Sequence, residues 1–311
     1  MFMTKYKYNR IRRLRIYLKT NGILYIMILP GILLFIIFSY VPMYGIIMAF
    51  QNYKPALGYF QSPFIGLKHF ETLLTDPNFI RAFKNTLILG LLSLVIGFPA
   101  PIILALFFNE IKHLKFKKIT QTISYMPYFL STVIVVGITK DLLSMNDGAI
   151  NNIIASLGFQ KINFFVQSEW FRPIYICTGL WQGVGFGTII YLAAIAGINP
   201  ELYEASVIDG ANRLDQALNI TLPGILPTVT ILFIFAVGGI IGNDFQKILL
   251  IYSPSTYSVA DVISTLVYRA GIEGASQSYA TAVGLFNSVL SLFLLASTNY
   301  IAKKSGEISL W

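Results

Sequence analysis

The chain has 311 residues, of which 55% are hydrophobic and 12% are charged, and its formal net charge is +9. Soluble domains carry roughly 25% charged residues, so this composition indicates a membrane protein. The one cysteine, Cys177, cannot form an intrachain disulfide, and the histidines His69 and His113 lie in different loops, which gives no metal-ligand cluster. The positive charge does not indicate nucleic acid, because seven basic residues lie within the first nineteen positions, directly before an apolar run.

Six stretches of more than twenty residues contain no Asp, Glu, Lys or Arg. Because about 20 apolar residues cross the hydrocarbon core as a helix, we predict an all-α membrane protein with six transmembrane helices. The predicted spans are 22–42, 85–108, 119–140, 173–197, 224–243 and 279–302. They lie within a membrane domain at 22–303, between a basic tail at 1–21 and a second tail at 304–311.

The first span follows a basic tail, as the apolar core of a secretory signal does. Its apolar core is much longer than the roughly 7–15 residues of a signal, so we predict an uncleaved helix. A bend is expected near Pro30–Gly31, and the helix is expected to end by Pro42.

Three basic segments fall on the same side of a six-span chain, which the positive-inside rule makes the cytoplasm. They contain Lys5, Lys7, Arg10, Arg12, Arg13, Arg15 and Lys19 in the tail, Lys112, Lys115, Lys117 and Lys118 after span two, and Lys303 and Lys304 after span six. Both termini are therefore predicted to be cytoplasmic. The segment 199–223, between spans four and five, falls on the same side although it is net acidic.

The segment 199–223 is polar and predicts one short amphipathic helix running into a second. Asn199 suits a helix N-cap, Pro200 suits the first helical position, and Pro223 is expected to end the segment. Gly210 permits a turn. Residues at spacings of three and four are predicted to share one helix face, namely Val207, Ile208, Ala211, Leu214 and Leu218.

The sequence contains no motif for catalysis. It has no Gly-Lys dipeptide, so a P-loop for ATP is absent, and no His-Glu-x-x-His. Its one Gly-x-Ser, from Gly274 to Ser276, is not followed by a histidine base. No span contains a buried pair of opposite charges, which argues that the energy source of any transport lies in a partner. A self-contained carrier or channel and an intramembrane enzyme stay open as alternatives.

Several polar side chains lie in or near the predicted outer half of the spans. They are Trp181, Gln182, Asn243, Asp244 and Asn287. Polar groups in hydrocarbon usually face the bundle interior or a watery cavity, so one interpretation is a substrate path whose amides bind hydroxyls and whose aromatic faces stack on sugar rings. The other interpretation is hydrogen bonding between helices, with Trp181 as an interfacial anchor.

The pattern Glu-Ala-Ser-x3-Gly-x9-Ile-x-Leu-Pro, from Glu204 to Pro223, resembles the EAA motif of ABC importer permeases. The one departure is Ser206, where the motif has a second alanine. The segments Ile65–Leu87 and Asp244–Tyr268 are similar to the carbohydrate-uptake branch of that family. The resemblance covers most of the chain after the basic tail.

This resemblance implies the permease subunit of an ATP-driven importer for oligosaccharides or polysaccharide fragments, with type I architecture, in a bacterial cell membrane. Expected partners are a second, homologous permease subunit in a heterodimer, two ATPase subunits that bind ATP and Mg, an extracytoplasmic sugar-binding protein and membrane lipid, but no nucleic acid. The chain itself is expected to hold no cofactor or metal. A permease for a non-sugar solute is the alternative.

In that family the EAA segment docks into a groove on the ATPase. The coupling residues implied here are Glu204, Ala205, Ser206, Asp209, Gly210, Leu214, Ile220 and Pro223. An amphipathic helix that lies on the membrane would carry mainly basic residues on its polar face. This segment has four acidic residues and one basic residue, which favours docking.

Overall fold

The computed structural model describes residues 2–306 and 309–310, and the side chains of residues 2–16, 18 and 19 lie outside this description. The basic side chains predicted to orient the tail at 1–21, and residues 307, 308 and 311 of the tail at 304–311, therefore lie outside the described residues. The described part of the chain is nearly all helical, and its single extended pairing is a bridge between Gln51 and Phe64. The predicted all-α class is confirmed.

The chain divides into two compact units, Met1–Gly66 and Leu67–Trp311. In the first unit, helix α1 (Phe2–Phe35) continues through a π-helical turn at Ile36–Tyr40 and a 3₁₀ segment at Val41–Phe50. The predicted end by Pro42 is wrong, because proline near the start of a helical segment needs no N–H partner and the helical run continues.

The first unit ends in a tight loop around α2 (Gly58–Gln61). Ser62 Oγ accepts a hydrogen bond from Lys54 N at 3.0 Å and donates one to Gly58 O at 2.6 Å. Gln51 Nε2 donates to Tyr59 O at 2.8 Å. These bonds close the loop on itself.

The second unit consists of long helices and short connecting helices. Its elements are α3 (Lys68–Thr75), α4 (Pro77–Leu92), α5 (Pro99–Glu110), α6 (Leu114–Tyr125), α7 (Thr132–Leu143), α8 (Ala149–Ser156), α9 (Ser168–Ala196), α10 (Pro200–Ile208), α11 (Arg213–Gln216), α12 (Leu222–Gly238), α13 (Phe245–Ile251), α14 (Tyr257–Ala260), α15 (Ile263–Tyr268) and α16 (Gln277–Lys304). A π turn at Ser93–Gly97 joins α4 to α5, and another at Ala217–Thr221 joins α11 to α12.

Within the described part of the chain, five helical runs are long and apolar enough to cross a membrane. They are Thr20–Phe50, Pro77–Glu110, Ser168–Ala196, Arg213–Gly238 and Gln277–Lys304. Each contains most of one predicted span. The described helices therefore provide five unbroken candidate spans, and a sixth if the bent pair described next is counted as one.

The predicted third span at 119–140 is broken. The helical run Leu114–Phe129 and helix α7 meet at an angle of 101°, so a continuous helix there was a wrong prediction. Pro127 has no N–H for a helical ladder, and Ser131 begins a new helix by accepting a hydrogen bond from Ile134 N at 3.3 Å. Gln182 Nε2 of α9 donates to the carbonyl of Leu130, at the break, with a distance of 3.1 Å.

Helices of the second unit pack through two kinds of surface. Inside, α5 packs against α9 and α12 against α16, and a buried cluster joins α5, α9 and α12 through Ile102, Tyr191 and Ile225. Outside, large apolar side chains such as Phe293 of α16 are exposed. Lipid tails are as apolar as these side chains, so a membrane helix can leave them outside the protein core.

We predict that Gly185→Ala loosens the contact between α9 and α6. A Cβ atom at Gly185 would lie 1.9 Å from the backbone oxygen of Ser124, which no rotamer change relieves. Overpacking of this kind costs about 1–3 kcal/mol, so the melting temperature in detergent should fall by several degrees. Gly183→Ala on the same helix is the control, because its Cβ would meet nothing within 4 Å. Equal melting temperatures for the two variants would contradict this packing.

Candidate functional site

The segment between α9 and α12 contains two short helices, α10 and α11, joined by a turn at Gly210. Asn199 caps α10, with its side chain accepting from Glu201 N at 3.1 Å, and Pro200 is the first helical residue, as predicted. Helix α10 ends at Ile208, and Gly210, two residues later, has a φ of +80°. Gly210 N donates to Val207 O at 3.1 Å and Ala211 N donates to Ser206 O at 2.9 Å. These two bonds and the left-handed glycine form a Schellman motif.

A capping box starts the next helix immediately after this turn. Asn212 Oδ1 accepts from Leu214 N and Asp215 N, and Asp215 Oδ2 accepts from Asn212 N. Helix α11 then runs through a π turn into α12. The segment therefore makes a tight turn at Gly210 and then runs without a break into a candidate membrane span.

Two predictions for this segment are wrong. Val207 and Ile208 lie before the Gly210 turn and Leu214 after it, so the apolar residues do not share one helix face. Pro223 does not end the segment: it lies in the first turn of α12, where no N–H is required, and the helix continues.

Side-chain hydrogen bonds tie the two short helices together. Ser206 Oγ donates to Tyr203 O at 2.8 Å and accepts from Gln216 Nε2 at 2.9 Å. The hydroxyl groups of Tyr203 and Thr221 lie 2.9 Å apart. The serine that departs from the family motif thus supplies a bond between α10 and α11. These hydrogen bonds hold α10 and the start of the next helix in a fixed arrangement.

The outward surface of this segment combines apolar side chains with carboxylates. Ile208 is 87% exposed and Leu214 is 66% exposed. Glu204 and Asp209 are exposed, and neither carboxylate has a hydrogen-bond or ion-pair partner among the described residues. Exposed apolar side chains beside unpaired acids are typical of a surface that awaits a protein partner.

The remaining coupling candidates take different positions. Ala205 is exposed on α10, and Ile220 is partly buried in the π turn before α12. An ion pair between Arg213 and Glu110 connects the segment to the C-terminal end of α5. No observation tests the coupling roles themselves, which stay a prediction.

We expect Ser206→Ala to change transport little. The substitution restores the alanine of the family motif but removes the hydrogen bond from Gln216, whose amide can turn to solvent. A neutral hydrogen bond that water can replace contributes about 0.5–1.5 kcal/mol to stability, so uptake should stay within about twofold of wild type. Ser206→Leu is the contrasting variant, because it must push α10 away from α11. Uptake by both variants, measured at matched membrane levels, checks the difference; a loss with alanine equal to that with leucine would contradict it.

Two adjoining cavities lie between the α4–α5 junction, α9 and the end of α12. The first has a volume of about 310 Å³ and is lined by Ser93, Gly97, Tyr175, Gly179 and Lys247 among others. The second has a volume of about 340 Å³ and is lined by Ser93, Tyr175, Asn243 and Asp244 among others. Ser93 and Tyr175 line both. Sites for small molecules usually measure about 300–1,000 Å³, so each cavity lies at the lower end of that range.

An ion pair stands where the two cavities meet. Asp244 caps α13, accepting from Lys247 N at 3.0 Å, and its other oxygen lies 3.6 Å from Lys247 Nζ. The Lys247 side chain is 8% exposed. Burial lowers the pKa of Lys247, and the nearby Asp244 carboxylate opposes that shift. Asp244 N donates to the hydroxyl of Tyr175 at 3.1 Å.

The predicted path residues are only partly brought together. Asn243 and Asp244 line the second cavity, but Trp181, Gln182 and Asn287 are not among the lining residues of either one. Trp181 is exposed on α9. Asn287 on α16 has a buried Oδ1 without a hydrogen-bond partner among the described residues. The roles of all five in transport stay predictions.

A buried carboxylate organises the connection between α13 and α16. Asp261 is fully buried and accepts two hydrogen bonds from Arg269 at 2.7 Å each, one from Arg81 at 3.2 Å and one from Thr265 at 2.8 Å. The hydrogen bonds that Arg269 donates to the Asp261 carboxylate raise the pKa of Arg269. The Arg269 guanidinium also lies over the Tyr257 ring, 4.7 Å from its centroid.

Sequence reasoning missed Lys247, Tyr175 and the Asp261 network. Lys247 follows Asp244 by three residues on a short helix, a spacing that could have indicated an ion pair. Asp261 and Arg81 are separated by 180 positions, so no local pattern could have connected them.

The described residues form a helical protein in which five runs are long and apolar enough to cross a membrane, so the fold is that of a helical membrane protein. A family model described as "binding-protein-dependent transport system inner membrane component" matches residues 97–306. The chain is 46% identical over 302 residues to the polygalacturonan/rhamnogalacturonan transport system permease protein YteP of Bacillus subtilis (strain 168), covering 97% of this chain and 94% of YteP. It is 41% identical over 294 residues to Protein LplB of the same organism, covering 94% and 92% respectively.

A solved structure shares the fold. The chain matches one in the crystal structure of a bacterial alginate ABC transporter in complex with an alginate pentasaccharide-bound periplasmic protein, with a TM-score of 0.88 and 44% identity. The match covers 96% of this chain and 100% of that one. The chain therefore belongs to the family of binding-protein-dependent transport system inner membrane components, the permease subunits of ABC importers. Such subunits are not ATP-hydrolysing enzymes, in agreement with the missing P-loop.

Proposed function

We propose that this permease carries oligosaccharides or polysaccharide fragments across a bacterial cell membrane, with both termini in the cytoplasm. The relatives support the substrate class, since YteP is described for polygalacturonan and rhamnogalacturonan and the solved transporter for alginate. The partners proposed are a second, homologous permease subunit, two ATPase subunits that bind ATP and Mg, and an extracytoplasmic sugar-binding protein. The solved transporter's own complex with a periplasmic protein supports the last of these.

The observation that carries the proposal is the turn at Gly210 with its exposed surface. Ile208 and Leu214 provide apolar contacts, and Glu204 and Asp209 provide free carboxylates. A groove with apolar walls and basic groups at its edge complements both features. In this arrangement the ATPase subunits, as they close on ATP, move the turn, and the continuous helix from α11 into α12 transmits that movement into the membrane.

The proposed orientation places α3, α8 and the α13–α15 connection outside the cell. The basic segments next to the spans support it, because Lys and Arg accumulate on the cytoplasmic side. The cavities then lie toward the outer half of the membrane, near the mouth where a binding protein delivers its sugar.

Cysteine labelling tests this orientation. Cys177 is replaced by serine, and single cysteines are added at Thr4 or Asn152. A membrane-impermeant thiol reagent should label intact cells only at position 152. Labelling at position 4 alone would show that the chain has the opposite orientation in the membrane.

Transport by the reconstituted complex tests the function. Proteoliposomes that contain both permease subunits and the ATPase, supplied with the sugar-loaded binding protein, should accumulate oligosaccharide only when ATP is present. Vesicles with this chain alone should show no flux. ATP-independent flux through this chain alone would favour the self-contained carrier. ATP-driven accumulation of a non-sugar solute, with none of the oligosaccharides, would favour the other alternative.

A further inference from the structure

The ammonium group of Lys247 is buried beside a cavity with unused hydrogen-bonding capacity. A lysine ammonium has three N–H donors. Among the described residues its one anionic neighbour is Asp244, at 3.6 Å, which is longer than a hydrogen bond. The face of the Tyr175 ring also lies near Nζ, with its centroid 5.7 Å away. The ammonium therefore has donors to offer.

An anion bound to these donors would stabilise the buried ammonium group. A buried cation is costly unless it is paired and hydrogen-bonded. Asp244 compensates Lys247 only in part, because the Asp244 side chain is 39% exposed and its Oδ1 already caps α13. Burial lowers the pKa of Lys247, which agrees with incomplete compensation.

The space around Lys247 suits a ligand approaching from the cavity. Gly179 and Gly183 of α9 line the same cavity, and neither has a side chain to fill it. A Cβ atom at Gly179 would lie 3.5 Å from Lys247 Nζ, so the ammonium stands at the cavity wall. Lys247 and Tyr175 are the titratable residues among the described residues lining this cavity, so its own lining contributes a positive charge, with the Asp244 carboxylate of the adjoining cavity 3.6 Å from Nζ.

We propose that Lys247 binds a carboxylate of the transported sugar, and that the substrates of this permease are acidic oligosaccharides built from uronate residues. This inference rests on the proposed function. The carboxylate accepts charge-assisted hydrogen bonds from Nζ, and the sugar ring occupies the space beside Gly179 and Gly183. Asp244 holds the lysine in place and keeps the empty site from carrying an uncompensated charge. Lys247 is then a specificity-determining residue.

The test compares acidic oligosaccharides with neutral ones of the same linkage. The complete complex is reconstituted with the wild-type chain or Lys247→Met, and oligogalacturonates and oligomannuronates are compared with their carboxyl-reduced counterparts. Uptake rates are measured at saturating sugar-loaded binding protein, so the loading step does not limit them. A hydrogen bond to a charged group is worth enough to change a rate about tenfold or more. The acidic-to-neutral rate ratio should fall by at least that factor in Lys247→Met.

Three variants control the comparison. Lys247→Arg keeps the charge and should retain most of the wild-type ratio, and Lys140→Met removes an exposed lysine of α7 and should leave the ratio unchanged. If Lys247→Met fails to assemble, Lys247→Gln is used instead, because it removes the charge while keeping a donor. Its acidic-to-neutral rate ratio should also fall.

Two results would overturn the inference and are distinguishable. Equal changes for acidic and neutral sugars would mean that Lys247 only supports Asp244, and no change would mean that Lys247 takes no part in sugar recognition. In both cases the proposed function would stand, since wild-type import continues. No ATP-dependent import of the acidic sugars by the wild type would overturn this inference, and the proposed function would fall with it only if no other oligosaccharide is imported.

Discussion

Gly210→Val should lower ATP-driven uptake at least tenfold while the chain remains in the membrane. Gly210 has a φ of +80°, and a Cβ atom there would meet nothing within 4 Å, so the obstacle is conformational rather than steric crowding. A left-handed backbone costs an L-residue about 1–2 kcal/mol, and a β-branched residue is a true outlier there. The turn must therefore open, and α10 and α11 can no longer present one surface. We expect at least a tenfold loss of uptake, with loss of ATPase co-purification.

A second turn in the same chain provides a matched control. Gly158 has a φ of +84° and open space around its Cβ position. It closes α8 with the same pair of bonds, from Gly158 N to Ala155 O and from Phe159 N to Ile154 O. Gly158→Val introduces the same strain away from the proposed ATPase contact and should keep the ATPase bound. Equal effects of the two substitutions on ATPase binding would contradict docking at Gly210.

Arg269→Met should destabilise the permease strongly. The substitution removes two hydrogen bonds of 2.7 Å from the fully buried Asp261 carboxylate, leaving Arg81 at 3.2 Å as its remaining cation. Breaking a buried pair by removing one partner typically costs about 3–5 kcal/mol, because the other charge stays buried. We expect a large drop in melting temperature in detergent and low membrane levels.

Two further variants separate the charge from the volume at this position. Arg269→Met combined with Asp261→Asn removes both charges, so it should recover much of the lost stability. Arg213→Met disrupts an ion pair with Glu110 whose side chains are 57% and 36% exposed, and exposed pairs contribute only about 0–1 kcal/mol. A double variant no more stable than Arg269→Met would show that packing over Tyr257, rather than charge, carries the effect.

The sequence predicted the features that depend on local patterns. Apolar stretches located the spans because membrane crossing depends on length and composition alone. Asn199, Pro200 and Gly210 marked the start and the turn of α10 because capping and left-handed backbone have strong residue preferences. The break near Leu130 also had a local sign, Pro127, but the whole stretch was apolar enough to suggest one helix.

Other features depend on residues far apart in the chain. The carboxylate of Asp261 is satisfied partly by Arg81, and Lys247 becomes a cavity residue only because α13 folds back against α9. The continuation of the helix through Pro223 was missed for a different reason. A π turn precedes it, and no residue preference announces such a turn.

The π turns at Ser93–Gly97 and Ala217–Thr221 alter the angular phase of continuous helices. Each turn inserts one residue into a repeat of 3.6, which rotates every later side chain by about 100° around the helix axis. Leu89, before the first of these turns, and Ile102, after it, belong to separate buried clusters on one helical run. A helical wheel drawn through residues 77–110 would merge two stripes that face different neighbours, so wheels for this permease have to be restarted after each turn.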